Sequence, residues 1–104
     1  MRHKTFAELH QKILEAEKII PVGSQWIHYK DEKGVHPYVV LKLALEEATE
    51  EVVVVYRRED MPDSFIWTRP VNGESEWLSS VNREGKEVPR FNIQKRQSRE
   101  RFTI

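Results

Sequence analysis

The longest apolar stretch of the chain is the segment Glu51–Arg58, where five apolar residues stand in succession before two arginines. Four of the five are valines, and β-branched side chains lose rotamer freedom in a helix, so the run predicts a strand. Successive side chains of a strand point to opposite faces of a sheet, and both faces of this strand must therefore be covered. We predict that it is the central strand of a sheet.

Shorter apolar patterns predict further strands on both sides of this run. In 25–30 we place Trp26 and His28 on one face, and in 36–45 the spacing of Val39, Leu41, Leu43 and Leu45 predicts one inner face. A short strand at 65–68 and an edge segment at 88–93 follow, while the pattern at 77–81 fits either a strand or a short helical turn. Such strands with tight turns predict a mainly β fold, a small antiparallel barrel or curled sheet in which closure removes exposed edges.

One helix is predicted ahead of the strands, from Thr5 to about residue 19. Thr5 can cap it, and Glu8 three places later completes a capping box. Pro21 ends it, because proline cannot continue the hydrogen-bond ladder. We expect the helix to cover the sheet, with docking on a partner as the alternative use of its apolar stripe, which is formed by Phe6, Leu9, Ile13, Ala16 and Ile20.

Length and charge limit the organisation and the partners of the chain. At 104 residues it is one domain, which we divide into an amino-terminal amphipathic helix at 1–20, a β domain at 21–93 and a basic tail at 94–104 that we expect to be mobile. Basic and acidic residues both number 17, so a nucleic-acid surface would have to be a local patch. There is no cysteine and no apolar run of the roughly 20 residues that span a bilayer. We therefore expect a cytoplasmic protein with no membrane partner.

The candidate chemistry is a set of aromatic and cationic residues on neighbouring predicted strands. Aromatic rings stack on bases while cations meet phosphates, which makes such a face suited to nucleic acids or nucleotides. The alternative is structural: Tyr56 and Trp67 would fill the core, and Arg69 would pair with Glu51. The candidate ligand-binding residues are His28, Tyr29, Lys30, Tyr38, Glu51, Tyr56, Trp67 and Arg69.

Metal binding and catalysis have weaker support in the sequence. His28 and His36 are eight residues apart with a turn between them, and no spacing typical of a zinc site occurs, so we assign no metal and no cofactor. His28 could act as a general base with Glu51 or Tyr56. However, the chain has no cysteine, no glycine-rich phosphate loop and no nucleophile elbow.

Four short motifs occur along the chain: His28-Tyr29-Lys30, Val54-Val55-Tyr56, Trp67-Thr68-Arg69-Pro70 and Val88-Pro89-Arg90-Phe91. Together they resemble a bacterial family known as DUF1653, a domain of unknown function. The likeness covers roughly 21–93 and implies an SH3-like barrel, but it brings no established activity. The chain departs from the family pattern at Ala48, where a glutamate is usual, at Asp31, where a glycine is usual, and at Trp77, where a phenylalanine stands closer to the Arg-Pro motif.

The function predicted from the sequence is a non-catalytic binding module. Its expected ligand is a nucleic acid, a nucleotide or a peptide, held on the aromatic and basic face. The alternatives are a protein-interaction or self-associating domain that uses the helix or an open strand edge, and a small hydrolase that uses His28.

Overall fold

A computed structural model describes residues 3–94 of the chain. It contains one α-helix and seven β-strands, which confirms the predicted mainly β class. The predicted basic tail lies outside the described residues from position 95 onward. In chain order the elements are α1 (Phe6–Ile19), β1 (Gln25–His28), β2 (Tyr38–Glu46), β3 (Glu51–Arg58), β4 (Trp67–Pro70), β5 (Ser80–Arg83), β6 (Lys86–Pro89) and β7 (Phe91–Ile93).

Five of the strands form an antiparallel sheet in the order β4-β3-β2-β1-β7, and β5 and β6 form a separate hairpin. The middle position belongs to β2, so the prediction that Glu51–Arg58 is the central strand is wrong. That strand is nevertheless interior, because β2 and β4 pair with its two sides. Val52, Val54 and Tyr56 are buried on one face, while Val53 and Val55 are half-buried on the other.

The sheet does not close into the predicted barrel, because β4 and β7 remain its two edges. Residues 77–79 lie between these edges. Trp77 N donates to Pro70 O and Leu78 N donates to Val71 O, both at 3.0 Å, and Arg90 N donates to Ser79 O at 2.9 Å. Pro70 has no N–H and cannot extend the ladder of β4. The result is a curled sheet whose edges are joined through residues 77–79.

A β-bulge in β2 changes which of its side chains face the core. The register with β3 shifts between Val40 and Lys42, so that Leu41 is the extra residue. Val40 and Leu43 are buried and Leu41 is exposed. The predicted inner face, with strict alternation through Leu41 and Leu43, is therefore wrong at the bulge.

The helix confirms its predicted capping box, in which Glu8 N donates to the Thr5 hydroxyl and Thr5 N donates to the Glu8 carboxylate. Its carboxyl-terminal half covers the sheet, since Ala16 and the following Ile20 are buried. The amino-terminal half departs from the prediction: Phe6 is 90% exposed. No helix within residues 3–94 is long and apolar enough to cross a membrane.

An aromatic group forms the centre of the core. Trp77 is 1% exposed and stacks on Phe91, with ring centroids 4.0 Å apart and planes at 8°. Tyr56 and Trp26 meet the same indole edge-to-face, at 4.9 Å and 5.6 Å. The sequence pattern at 77–81 fitted either a strand or a short helical turn. In the structure Trp77 is a core residue outside any regular element, and the strand β5 begins at Ser80.

Candidate functional site

A concavity of about 570 Å³ opens where β1, β3, β4 and β7 meet the turn that follows β1. Five of the eight predicted ligand-binding residues line it, namely His28, Lys30, Tyr38, Tyr56 and Arg69. The remaining lining residues are Asp31, Glu32, Lys33, Val35, His36, Arg58 and Phe91.

Trp67 lines a second, smaller concavity of about 180 Å³ together with Met61. Tyr38, Tyr56 and Arg58 line both concavities, so the two adjoin. We call them together the groove. Trp67 is 52% exposed, and the alternative in which its side chain fills the core is wrong.

The other two predicted residues lie away from the groove lining. Tyr29 has three cationic groups near its ring, with Lys30 Nζ and the Cζ atoms of Arg83 and Arg90 at 5.8–5.9 Å from its centroid. Glu51 lies on the helix side of the sheet, where its carboxylate is 3.5 Å from Lys12 Nζ. The structure therefore separates Glu51 from His28 and Arg69.

The floor of the groove is built from core aromatic residues. Tyr56 and Phe91 are only 7% and 4% exposed, and Tyr38 packs edge-to-face on both, at 5.4 Å and 6.0 Å between centroids. Tyr56 is thus part of the core, as the structural alternative expected. The rings with substantial exposed surface are the half-buried Tyr38 and the exposed Trp67.

Arg69 brings a half-buried positive charge to this floor. Its Cζ lies 5.5 Å from the Phe91 ring centroid, and its Nη1 donates to the carbonyl oxygen of Ser75 at 2.6 Å. The predicted pairing with Glu51 does not form. No carboxylate among residues 3–94 lies within ion-pair distance of Arg69.

Two lysines at the rim, Lys30 and Lys33, likewise have no ion-pair partner in the part of the chain that the structure describes. Arg58 differs, because its Nε donates to Asp60 at 2.6 Å. Among the described residues, Arg58 is therefore a groove cation with an ion-pair partner, and Arg69, Lys30 and Lys33 are uncompensated, meaning that they have no such partner.

His28 sits among these cations and against the floor. Its ring centroid is 5.1 Å from that of Phe91, and its Nδ1 accepts a hydrogen bond from Lys30 N at 3.2 Å. An accepting Nδ1 places the proton of the neutral imidazole on Nε2. Burial lowers the pKa of His28 below its ordinary value, and the charges of Arg69, Arg90 and Lys30 lower it further, with Asp31 opposing.

The turn at 31–36 forms one wall of the groove and was not predicted as part of a site. The Asp31 carboxylate accepts from His36 N at 2.8 Å and Val35 N at 3.2 Å, and these bonds lower the pKa of Asp31. His36 Nδ1 lies 3.0 Å from the Asp60 carboxylate, which ties the wall to the end of β3. An aspartate three residues before Gly34 is a turn signal that could have located this wall.

The geometry gives little for metal binding or acid–base catalysis. Within residues 3–94 no group of three or more His, Asp and Glu side chains is arranged to hold a metal ion. The hydrogen bond that His28 makes within the described chain goes to a backbone amide, and neither Glu51 nor a serine hydroxyl orients its ring.

Comparison with known proteins gives one match. A family model described as a protein of unknown function, DUF1653, matches residues 24–93. No curated protein and no solved structure matches the chain. The matched segment runs from just before β1 to the end of β7 and includes every strand of the sheet, and the chain belongs to the DUF1653 family.

Proposed function

We propose that this chain is a binding module for single-stranded nucleic acids and nucleotides, and that the groove is its binding site. The observation that carries the proposal is the placement of three uncompensated cations, Arg69, Lys30 and Lys33, beside the accessible rings of Tyr38 and Trp67. A nucleotide presents both complementary parts, a planar base and an anionic phosphate.

The energetics of such a site favour a ligand of this kind. Stacking of one base on an aromatic side chain contributes about 1–3 kcal/mol and tolerates any base, because every base has a π face. A guanidinium in a partly desolvated position forms stronger hydrogen bonds to phosphate than the same group in water. Arg69 meets this condition, since it is half-buried on the edge of the aromatic floor.

The size and local charge of the groove fit the proposal. Its larger part, about 570 Å³, lies within the roughly 300–1,000 Å³ range of small-molecule sites. The formal net charge of the chain is zero, so attraction to a polyanion depends on a local patch such as this one. Contacts with few phosphates predict modest affinity that falls with salt, with a logarithmic slope of about −0.7 per neutralised phosphate for single strands.

Tryptophan emission provides a direct test. Trp26 and Trp77 are buried in the core and Trp67 is exposed in the groove, so quenching by an added ligand reports on Trp67. We expect single-stranded RNA or DNA at low salt to quench this emission and to shift the amide signals of His28, Tyr38 and Arg69. Phe6→Ala is the matched control, because this exposed ring lies on the helix outside the groove. If oligonucleotides and free nucleotides leave both signals unchanged, the proposal fails.

The alternative functions have less support. A protein-interaction surface would use the apolar concavity of about 230 Å³ between the helix and β2, lined by Phe6, Leu9, His10, Ile13 and Leu45. It offers no charge pattern that identifies a partner. A hydrolase would need a group that orients His28 toward a nucleophile, and the site geometry supplies none among the described residues.

A further inference from the structure

We propose that the cationic end of the groove, formed by His28, Lys30 and Arg69, binds a terminal phosphate monoester, either on a free nucleotide or on the end of a single strand. This inference rests on the proposed function and adds to it which part of a nucleic acid the site prefers.

The three side chains line the same concavity. His28 and Arg69 both contact the ring of Phe91, one through its imidazole at 5.1 Å and the other through its guanidinium at 5.5 Å. Lys30 follows His28 by two residues, and its backbone N–H is bonded to the imidazole. A phosphate bound in this part of the concavity can therefore meet a guanidinium, an imidazole and an ammonium together.

The balance of charge favours a dianion over a monoanion. Three cations, Arg69, Arg90 and Lys30, act on His28, and the Asp31 carboxylate opposes them. The other carboxylate that lines the concavity, on Glu32, forms an ion pair with Arg83. The Asp31 oxygens already accept backbone N–H bonds within the turn. An internal phosphodiester carries one negative charge, whereas a phosphate monoester carries about −1.5 to −2 at pH 7. A terminal phosphate thus neutralises more of the excess positive charge around His28 than an internal phosphodiester does.

The imidazole can adjust its charge to the ligand. In the free protein His28 is surrounded by Arg69 from β4, by Arg90 from the link between β6 and β7, and by Lys30 and Asp31 from the turn after β1, with the Tyr29 ring beside it at 4.7 Å. The neutral ring offers Nε2–H as a donor. A bound dianion reverses the local potential, so His28 should take up a proton when a phosphate monoester binds.

The other end of the groove gives the ligand a direction. Tyr38 lines both concavities, whereas Lys30 lines only the first and Trp67 only the second. A terminal phosphate at Arg69 therefore places the first base toward Tyr38 and later bases toward Trp67.

The test compares three hexauridylates: one with a 5′-phosphate, one with a 3′-phosphate and one with hydroxyls at both ends. Binding is measured by Trp67 quenching and by calorimetry at pH 7. We expect one or both phosphorylated strands to bind roughly tenfold or more tightly than the hydroxyl strand. Comparison of the 5′-phosphorylated strand with the 3′-phosphorylated strand shows which end of the strand the site binds. Calorimetry in buffers of different ionisation enthalpy should show net proton uptake with the phosphorylated strand and not with the hydroxyl strand.

Each result separates this inference from the proposed function. Equal binding of all three strands overturns the terminal-phosphate site and leaves the binding module intact. Absence of binding by every strand overturns both. Tighter binding of a phosphorylated strand without proton uptake retains the phosphate site and overturns the role of His28.

Matched variants localise the effect. Arg69→Lys keeps the positive charge and loses the planar guanidinium, which can donate two parallel hydrogen bonds to a phosphate. Lys30→Gln removes a positive charge from an exposed side chain at the rim of the groove. Each variant should reduce the preference for the terminal phosphate several-fold. Lys42→Gln makes the same charge change on the exposed part of β2 outside the groove and should leave the preference unchanged. Because Arg69 also contacts Ser75 and Phe91, thermal unfolding should be measured for every variant, and Lys30→Gln decides the question if Arg69→Lys is unfolded. An unchanged preference in the folded groove variants contradicts the assignment.

Discussion

Trp67 offers the sharpest test of the groove, because its substitution should affect binding far more than folding. The side chain is 52% exposed on the edge strand β4, where it pairs with Tyr56 through the backbone. Removing a stacking platform should weaken binding by about 1–3 kcal/mol per base, which is roughly 5- to 150-fold in the dissociation constant.

The structural cost of the same change can be bounded. A fully buried tryptophan removes about 150–250 Å² from water, and roughly half of Trp67 is exposed, so Trp67→Ala loses at most about 2–3 kcal/mol of burial. Trp67→Leu retains part of this cover and loses the aromatic face. We therefore expect the leucine variant to be nearer to wild type in stability and as weak as the alanine variant in binding.

Fluorescence polarisation of a labelled oligonucleotide measures binding without the tryptophan signal, and urea unfolding measures stability. Phe6→Ala serves as the control for loss of an exposed aromatic ring. The reasoning is refuted if both Trp67 variants are folded and bind within twofold of wild type. The role of Trp67 in binding is also refuted if the two variants lose binding only in proportion to the fraction of each variant that is unfolded.

Three further predictions concern stability. Val54→Ala, at a site that is 0% exposed in β3, should lower the free energy of unfolding by about 2 kcal/mol in urea, and a loss below about 0.5 kcal/mol would contradict the packing. Thr5→Ala removes the helix cap and should cost about 1 kcal/mol, measured in the same way; an unchanged midpoint would show that the helix end contributes nothing. Burial and nearby cations lower the pKa of His28 in the folded protein, so the unfolded chain binds a proton at His28 more readily than the folded chain does. The contribution of His28 to stability is therefore complete above about pH 6.5, the ordinary pKa of histidine, and it declines as the pH falls below that value. Unfolding between pH 4 and 8 should therefore show a shallower slope in His28→Gln than in wild type, and equal slopes would oppose the assignment.

The elements that sequence predicted well are those set by local chemistry. Thr5 and Glu8 are three residues apart and fix the start of the helix without help from the rest of the chain. The run of valines before Tyr56 needed cover on both sides, and the structure supplies it, although the pattern could not show that β2 would take the middle position. β2 takes the middle position because β7, which is distant in sequence, pairs with β1.

The features that the sequence did not predict depend on tertiary contacts. The extra residue at Leu41 follows from the register between β2 and β3, and strict alternation cannot reveal it. Trp77 belongs to no regular element, yet it is nearly inaccessible because it lies between the two edges of the sheet and stacks on Phe91.

The candidate site shows the same division. Residue type identified His28, Tyr38 and Arg69, since aromatic and cationic side chains on neighbouring strands tend to share a face. Glu51 was misplaced because it begins β3 on the helix side of the sheet, where Lys12 contacts its carboxylate. The role of the 31–36 turn depends on folded hydrogen bonds to Asp31.

The groove is built on the core, and this has a consequence for how a ligand would bind. Phe91 is stacked on the buried Trp77 and at the same time contacts His28 and Arg69, so the cationic end rests on buried core residues. The turn wall is fixed separately, through Asp31 within the turn and through His36 to Asp60 at the end of β3. A site held in this way pays little ordering entropy when a ligand binds. Binding should therefore displace the backbone of β1, β3 and β7 by less than about 1 Å, and the changes on binding should be concentrated in the side chains of Lys30, Lys33 and Trp67, which are not packed into the core.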